Sequence, residues 1–200
     1  MPAKPLRLFI AIELSPEVRQ ALGHLQEDLM RQLPPRVVRW TNPTGIHLTL
    51  KFLGDTPEDK AQAVGQGMQF AAASFEPFEL HVAGFGCFPN PRHARVLWVG
   101  AREVPKPLAG LQRAIDLQMA RLDYARDTRP FSSHLTLGRV NDHISAVERQ
   151  ALTGLLDRTK VDELGVVPVH EVILFKSDLQ PGGAVYTALA RGRLADAIHE

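Results

Sequence analysis

The stretch His134-Leu135-Thr136-Leu137 decides the fold, because the same four residues also occur earlier in the chain as His47-Leu48-Thr49-Leu50. In each copy leucine alternates with a polar residue, which is the period-two pattern of a half-buried β-strand. The leucines of such a strand point into a core. The histidine and the threonine share the opposite face, with their Cα atoms roughly 6.5 Å apart. Each copy therefore predicts a strand that presents an imidazole and a hydroxyl side by side.

The two copies also have similar surroundings. A turn-like stretch with proline precedes each one, at residues 42–45 and 129–132, and each is followed by a glycine and a charged residue, Gly54-Asp55 and Gly138-Arg139. A single histidine at the start of a strand is usually only a polar residue on a solvated face. The repetition favours an internal duplication in which two halves build one site.

Length and composition fit a soluble globular protein, with 200 residues of which 44% are hydrophobic and 22% are charged. A net charge of +1 provides no global field that would favour bulk binding of nucleic acid, so any contact with an anionic ligand must come from local arginines and lysines. The single cysteine, Cys87, excludes an internal disulfide and is interpreted as a small buried residue of a strand. The chain has no apolar run of membrane-spanning length, and residues 8–12 are too short for a signal peptide, so we predict a cytoplasmic protein.

Helix signals recur along the chain. Ser15-Pro16-Glu17 predicts the start of a first helix, which Pro34-Pro35 ends. Ser145-Ala146-Val147-Glu148 is a capping box that opens a fourth helix, ending near residue 160. Between them, a cap signal at Thr56 predicts a helix to about residue 75, and apolar spacing predicts another over residues 107–124. Strands are predicted at residues 7–14, 37–40, 47–53, 78–85, 95–100, 134–137, 169–176 and 184–190, with a Pro181-Gly182-Gly183 turn between the last two.

This order of elements, strand–helix–strands–helix–strands given twice, predicts an α+β fold. We expect two lobes built around antiparallel or mixed sheets, with the helices outside. No low-complexity segment or linker separates the lobes. We therefore treat residues 1–200 as one bilobal domain with half-sites at residues 47–50 and 134–137.

Paired histidine and threonine residues suit acid–base catalysis of phosphoryl transfer. Imidazole titrates near neutral pH, so one histidine can take a proton from the attacking oxygen while the other protonates the leaving oxygen. Threonine hydroxyls can donate hydrogen bonds to the phosphoryl oxygens, where charge accumulates. Lys51 and Arg139 are candidate anion partners. Alternation places Lys51 on the His47 face, whereas Arg139 lies on the leucine side unless Gly138 carries a β-bulge.

A metal site is the competing chemistry, because His47 and His134 could both be ligands. Zinc and iron sites usually need a third or fourth ligand from histidine, cysteine or carboxylate. The residue that shares the strand face with each histidine is threonine, and the other six histidines show no spacing that completes a set. We therefore predict neither a metal nor another cofactor.

The stretches HLTLKFLGD and RPFSSHLTLGRV resemble the two HxTx motifs of the 2H phosphoesterase superfamily. They are most similar to its bacterial and archaeal RNA 2′,3′-cyclic phosphodiesterases, also named 2′-5′ RNA ligases. The resemblance extends to RLFIAIELSPEV, RVLWVG and LFKSDLQPGGAVYTAL, which lie near the start, the middle and the end of the chain. It implies two pseudo-symmetric lobes with a cleft between them, and catalysis without a metal. It also implies that His47 is the proton donor, that His134 is the proton acceptor, and that Thr49, Thr136 and Arg139 contact phosphate.

The sequence departs from the family pattern just before the second motif. Ser133 stands where a proline is common, and Ser132 where some members carry an aromatic or basic residue. These departures bear on base recognition rather than on phosphate chemistry. The resemblance also offers Phe52 as a base-stacking residue. Strand alternation instead places Phe52 in the core beside Leu48 and Leu50, and we favour the core.

The function implied by the resemblance is hydrolysis of 2′,3′-cyclic phosphates at RNA ends to 2′-phosphomonoesters, with reversible 2′-5′ RNA ligation as a further activity of the same site. We expect a monomer that acts on RNA ends or nucleotides, with no membrane and no obligate protein partner. Three alternatives are a non-catalytic RNA-end binding module, a 2H phosphodiesterase for another small cyclic nucleotide, and a metal-dependent phosphodiesterase. Two complete histidine–threonine units argue against the binding module, since binding alone does not require two titrating groups.

Overall fold

The computed structural model describes residues 5–180 and 183–195. The helices are α1 Pro16–Arg31, α2 Ala61–Ala72, α3 Lys106–Ala120 and α4 Ala146–Arg158. The strands are β1 Leu6–Glu13, β2 Val38–Trp40, β3 His47–Thr56, β4 Phe78–Phe88, β5 Val96–Ala101, β6 Leu135–Val140, β7 Gly165–Val169, β8 Glu171–Gln180 and β9 Gly183–Arg193. Within the described ranges, no helix combines the length and the apolar character needed to cross a bilayer.

The helix starts with strong capping signals are confirmed. The Ser15 side chain accepts a hydrogen bond from the Val18 backbone at the start of α1. At the start of α4, Ser145 and Glu148 form both reciprocal bonds of a capping box. The second helix begins later than predicted, because Thr56 ends β3 and residues 58–60 form a 3₁₀ turn before α2.

The prediction of one strand over residues 169–176 was wrong. The structure has two strands here, β7 and β8, and His170 lies between them. β7 pairs with β4 and β8 pairs with β1, so the chain crosses from one half of the sheet to the other at this point. The polar pair His170-Glu171 stands at the break, but one or two polar residues also occur within half-buried strands, so the pattern alone did not separate the two strands. Pro181 and Gly182 of the predicted turn lie outside the described residues.

All the strand pairings described are antiparallel, and they form one sheet in the order β7-β4-β5-β6-β3-β1-β8-β9, with β2 added beside β6. The sheet divides into two four-stranded halves, β3-β1-β8-β9 and β6-β5-β4-β7. Helices α2 and α3 pack on the first half, while α1 and α4 contact β7 and β4 of the second. This α+β arrangement, with two similar halves and helices outside, confirms the predicted fold class.

The two HLTL strands, β3 and β6, meet at the centre of the sheet. Their described pairing is Leu48 opposite Leu135, and the strands separate on either side of it. The four HLTL leucines are buried in the main core on the helix side. The other side of the sheet, which the helices do not cover, is called the open face below, and it carries the histidines and threonines.

Candidate active site

The register of β3 and β6 brings the two half-sites together on the open face. Because the strands are antiparallel with Leu48 opposite Leu135, His47 falls opposite Thr136 and Thr49 falls opposite His134. The two histidines are then diagonal neighbours across the strand pair, at the point where the two strands separate. The diagonal arrangement and the separation of the strands leave room for a small tetrahedral group between the two imidazoles.

Both imidazoles are held by the same contact. The Nδ1 atom of His47 lies 2.8 Å from the Gly45 carbonyl oxygen, and Nδ1 of His134 lies 2.8 Å from the Ser132 carbonyl oxygen. A carbonyl oxygen only accepts hydrogen bonds, so each Nδ1 carries a proton and donates it. In the neutral ring this leaves the Nε2 lone pair free. The second nitrogen of each histidine is therefore available to give or take a proton.

Aromatic rings support both histidines. Phe9 stacks on the His47 ring with centroids 4.6 Å apart, and Tyr186 meets the same ring edge-on at 5.1 Å. On the other half-site, Phe88 meets His134 edge-on at 5.1 Å. Phe9 and Phe175 belong to a second, smaller buried cluster on the open face. The sequence analysis did not identify these aromatic residues, although the alternation of β1 places Phe9 on the face opposite its core residues.

This packing changes the protonation of His47. Burial lowers the pKa of His47 below its ordinary value, and the positive charge of Arg19 adds to the effect, while the hydrogen bond to Gly45 opposes it. Arg19 is held by a 3.0 Å ion pair with Glu13, which lies opposite His47 in the register of β1 and β3. With nothing bound, His47 is therefore neutral at neutral pH.

Each HLTL strand has a β-bulge after its threonine. Ala11 pairs with Thr49 but Ile10 pairs with Lys51, and Trp98 pairs with Thr136 but Leu97 pairs with Gly138. The extra residue is Leu50 in β3 and Leu137 in β6. Two consecutive residues then face the core, and the fifth residue after each histidine returns to the open face. These fifth residues are Phe52 in the first half-site and Arg139 in the second.

The placement of Phe52 in the core was therefore wrong. Its side chain is 68% exposed and lies beside Phe9, with ring centroids 6.0 Å apart. The same shift exposes Arg139, and the bulge on which its position depended is present. Arg139 stays a predicted phosphate contact, now placed on the same face as Thr136.

The prediction for Lys51 was also wrong, because the bulge turns its side chain away from His47. Lys51 is 3% exposed on the core side. Its Nζ donates 2.7 Å hydrogen bonds to Asp116 Oδ1 on α3 and to the Ala125 carbonyl oxygen. Lys51 therefore cannot reach an anion on the open face, and its contacts instead hold the chain segment that leads to His134.

Tyr186, which contacts His47, lies in the field of two arginines. Burial raises the pKa of the Tyr186 hydroxyl, and the guanidiniums of Arg139 and Arg7 oppose that rise. The hydroxyl therefore stays protonated and able to donate at neutral pH. Tyr186 thus places a hydroxyl donor beside His47.

The described residues contain no group of three or more histidine, cysteine or carboxylate side chains that could hold a metal ion. Cys87 lies half-buried in β4, where burial raises the pKa of its thiol. The donors that converge on the open face are imidazole, hydroxyl and guanidinium. Such a set is chemically suited to acid–base reactions of a phosphoryl group.

Known proteins resemble this chain over most of its length. Residues 12–98 match the model of the LigT-like phosphoesterases. An RNA 2′,3′-cyclic phosphodiesterase of Methanothermobacter thermautotrophicus is 34% identical over 94% of this chain and 99% of its own length. The chain belongs to the LigT-like phosphoesterase family.

Solved structures of the family share the whole fold. A Thermus thermophilus protein aligns with a TM-score of 0.79 at 28% identity, over 96% of this chain and 100% of that one. Escherichia coli LigT complexed with 3′-AMP aligns with a TM-score of 0.76 at 28% identity, over 96% and 99% of the two chains. Both alignments cover 96% of this chain, so the similarity extends over both halves of the sheet.

Proposed function

We propose that the protein hydrolyses 2′,3′-cyclic phosphates at RNA ends to 2′-phosphomonoesters. The observation that carries the proposal is the pair of histidines on two neighbouring strands, each with Nδ1 bound to a carbonyl and each beside a threonine. The names of the curated relatives support the reaction, and the LigT complex with 3′-AMP supports a nucleotide as ligand. Both half-sites lie on one chain, so the reaction needs no partner subunit.

In the proposed mechanism His134 takes a proton from water, whose oxygen attacks phosphorus. The bond from phosphorus to the 3′ oxygen breaks, and His47 gives its proton to that oxygen. The product carries a 2′-phosphate and a 3′-hydroxyl. Thr49, Thr136 and Arg139 donate hydrogen bonds to the non-bridging oxygens, where negative charge grows during the reaction.

The lowered pKa of His47 requires that its protonated form be stabilised when substrate binds. A phosphate between the histidines places negative charge beside the ring, which favours the imidazolium. The aromatic packing excludes water and strengthens that attraction. His47 thus starts neutral in the free protein, and we propose that it is charged in the complex.

We propose that the same geometry also serves ligation when the nucleophile is changed. If a 5′-hydroxyl of a second RNA end takes the place of water, attack on the cyclic phosphate gives a 2′-5′ linkage. His134 accepts the proton of that hydroxyl, and the other steps are unchanged. Ligation of this kind needs a high concentration of the second RNA end, because water competes for the same position.

A single incubation tests the proposed reaction and its independence from metals. A 2′,3′-cyclic-phosphate oligonucleotide treated with catalytic amounts of protein in EDTA is expected to yield ends with 2′-phosphate and 3′-hydroxyl, identified by mass spectrometry and end-specific phosphatase treatment. Only a stoichiometric change would favour a binding module, and activity restored by zinc or manganese would favour a metal-dependent enzyme. A 3′-phosphate product would mean that the substrate lies in the opposite direction.

Phe52 is the proposed stacking surface for the base. An exposed ring on the open face, equivalent in position to Arg139, can stack on a base of any sequence. We expect Phe52→Ala to raise the KM for a nucleoside 2′,3′-cyclic phosphate with little change in kcat. The effect should correspond to about 1–3 kcal/mol, the contribution of one stacked base.

The matched control for this prediction is Phe70→Ala, because Phe70 is 66% exposed but lies on α2, on the helix side. Phe70→Ala should leave KM unchanged. Equal KM values for the two variants would exclude base stacking by Phe52.

A further inference from the structure

Two arginines lie directly opposite each other beside the proposed site. Strand β2 pairs with β6 in a register that sets Arg39 against Arg139, and directly opposed residues project from the same face. Both arginines are exposed. Among residues 5–180 and 183–195, neither has a carboxylate oxygen within 4.0 Å, as the ion pairs of that part of the chain involve other residues. Like charges in this position are destabilising, so the pairing calls for a counter-ion.

The backbone that carries the two arginines is firmly held. Gln26 is 2% exposed, and its Nε2 donates to the carbonyl oxygens of Thr41 and Leu137, at 2.8 and 2.7 Å. The Thr41 backbone N–H also donates to the Leu137 carbonyl oxygen at 2.8 Å. At Gly138 the strands are so close that an added Cβ would lie 2.6 Å from Val38 Cγ1. The repulsion between the guanidiniums therefore cannot be relieved by separating the strands.

Strand β2 pairs with β6 beyond the point where the pairing of β3 with β6 ends, which places the arginines next to the histidine–threonine residues. The pairing of β3 with β6 is described at Leu135, whereas β2 pairs with Gly138 through Val140. Arg139 follows Thr136 on the open face, one same-face step or roughly 6.5 Å along the strand. The arginine pair thus begins one step away from the hydroxyl proposed to contact the reactive phosphate.

We propose that Arg39 binds the internucleotide phosphate on the 5′ side of the terminal nucleotide, so that the substrate is an RNA chain rather than a free cyclic mononucleotide. Arg139 lies between this phosphate and the reactive one, and its five N–H groups can donate to both. This inference rests on the proposed function for the location of the reactive phosphate. Guanidinium forks match phosphate oxygens in pairs, and a shared phosphate neutralises the repulsion between the two cations. An RNA end with a cyclic phosphate has a neighbouring phosphate only on its 5′ side. The arginine pair therefore fits the phosphate on the 5′ side of the terminal nucleotide.

The test compares two dinucleotides that both end in a 2′,3′-cyclic phosphate. One has the ordinary charged linkage and the other has a neutral methylphosphonate linkage. We expect the wild-type protein to prefer the charged dinucleotide by about 10-fold in kcat/KM, the lower part of the range for charge-assisted hydrogen bonds. Arg39→Gln should lower this ratio to about threefold, the value expected if each arginine supplies about half of the preference, because Arg139 still faces the phosphate. Arg39→Lys should give an intermediate ratio, because it keeps the charge but loses the fork.

The matched control is Arg121→Gln, which removes the same charge from an exposed residue at the end of α3. It should keep the wild-type ratio. The salt dependence gives a second readout, since loss of one phosphate contact to a single strand should reduce the slope of log kcat/KM against log salt by about 0.7. A wild-type ratio near one, or an Arg39→Gln ratio equal to that of Arg121→Gln, would overturn the subsite.

Two further measurements separate this inference from the proposed reaction. A nucleoside 2′,3′-cyclic phosphate has no internucleotide phosphate, so its hydrolysis tests the proposed function alone. Dissociation constants for a dinucleotide with a terminal 3′-phosphate, and for its methylphosphonate counterpart, test the subsite without turnover. If nothing is hydrolysed but the Kd ratio persists and depends on Arg39, the proposed reaction fails and the phosphate subsite stands.

Discussion

His47→Ala and His134→Ala are each expected to lower kcat/KM for a 2′,3′-cyclic-phosphate oligonucleotide by roughly 10²–10⁴-fold, the usual contribution of a positioned acid or base. Both variants should remain folded, because the two side chains lie on the open face and outside the main core. His24→Ala, at an exposed position of α1, is the matched control and should keep wild-type activity. Near-wild-type activity of either site variant would reject paired acid–base catalysis.

The roles of the two histidines can be assigned with a changed leaving group. A pH profile cannot assign them, because its limbs belong to the pair. We consider a substrate whose 3′ oxygen is replaced by a nitrophenolate-like group, which leaves without protonation. On this substrate His47→Ala should regain much of its lost rate, while His134→Ala should not, since water still needs a base. Recovery of His134→Ala instead would exchange the two roles, an outcome that the lowered pKa of His47 makes worth testing.

Elements with local chemical signals could be predicted from the sequence. The starts of α1 and α4 follow from Ser15 and Ser145, because a capping hydrogen bond involves residues only three positions apart. The alternation of leucine with polar residues also predicted the HLTL strands and the face shared by histidine and threonine. These features depend on short-range geometry, which one stretch of sequence contains.

Features that depend on strand pairing could not be predicted. Nothing in HLTLKFLGD indicates that Leu50 is an extra residue relative to β1, so simple alternation misplaced both Lys51 and Phe52. A bulge depends on the partner strand as well as on its own sequence. The repeat itself did carry a signal, because both copies have their bulge at the same position. A bulge that brings Arg139 to the open face therefore predicts the same shift for Phe52, the equivalent residue of the first copy.

Residues that are distant in the sequence also lie beside the candidate site. Tyr186 contacts His47 from β9, and Arg39 reaches Arg139 through β2. The sequence separation is large in both cases, and neither residue belongs to an HxTx motif. Their contribution becomes visible only when the strand order is known.

Asp116→Ala is expected to destabilise the protein by about 3 kcal/mol, the lower end of the cost of breaking a buried ion pair, because Lys51 Nζ keeps Asp127 Oδ1 at 3.2 Å. Asp116 is 4% exposed and lies 2.7 Å from the Nζ of Lys51, which is 3% exposed. Asp116 also accepts hydrogen bonds from Arg126 Nε and from the Asp127 backbone. The control is Asp28→Ala, which removes an exposed carboxylate paired with Arg31 and should change stability by no more than about 1 kcal/mol.

The pH dependence of unfolding distinguishes the ion pair from simple packing. Burial would raise the pKa of Asp116, but hydrogen bonds from Lys51, Arg126 and the Asp127 backbone outweigh it and lower the pKa below its ordinary value. The stabilisation is therefore present above the unfolded pKa of about 3.9 and is lost as pH falls through the lower folded value. In urea titrations, the gap between wild type and Asp116→Ala should be widest near neutral pH and should narrow in acid. The double variant Lys51→Met/Asp116→Leu should recover much of the loss, because it leaves no buried charge alone. A gap that stays constant in acid, or a double variant as unstable as Asp116→Ala, would show that shape rather than charge at this position stabilises the fold.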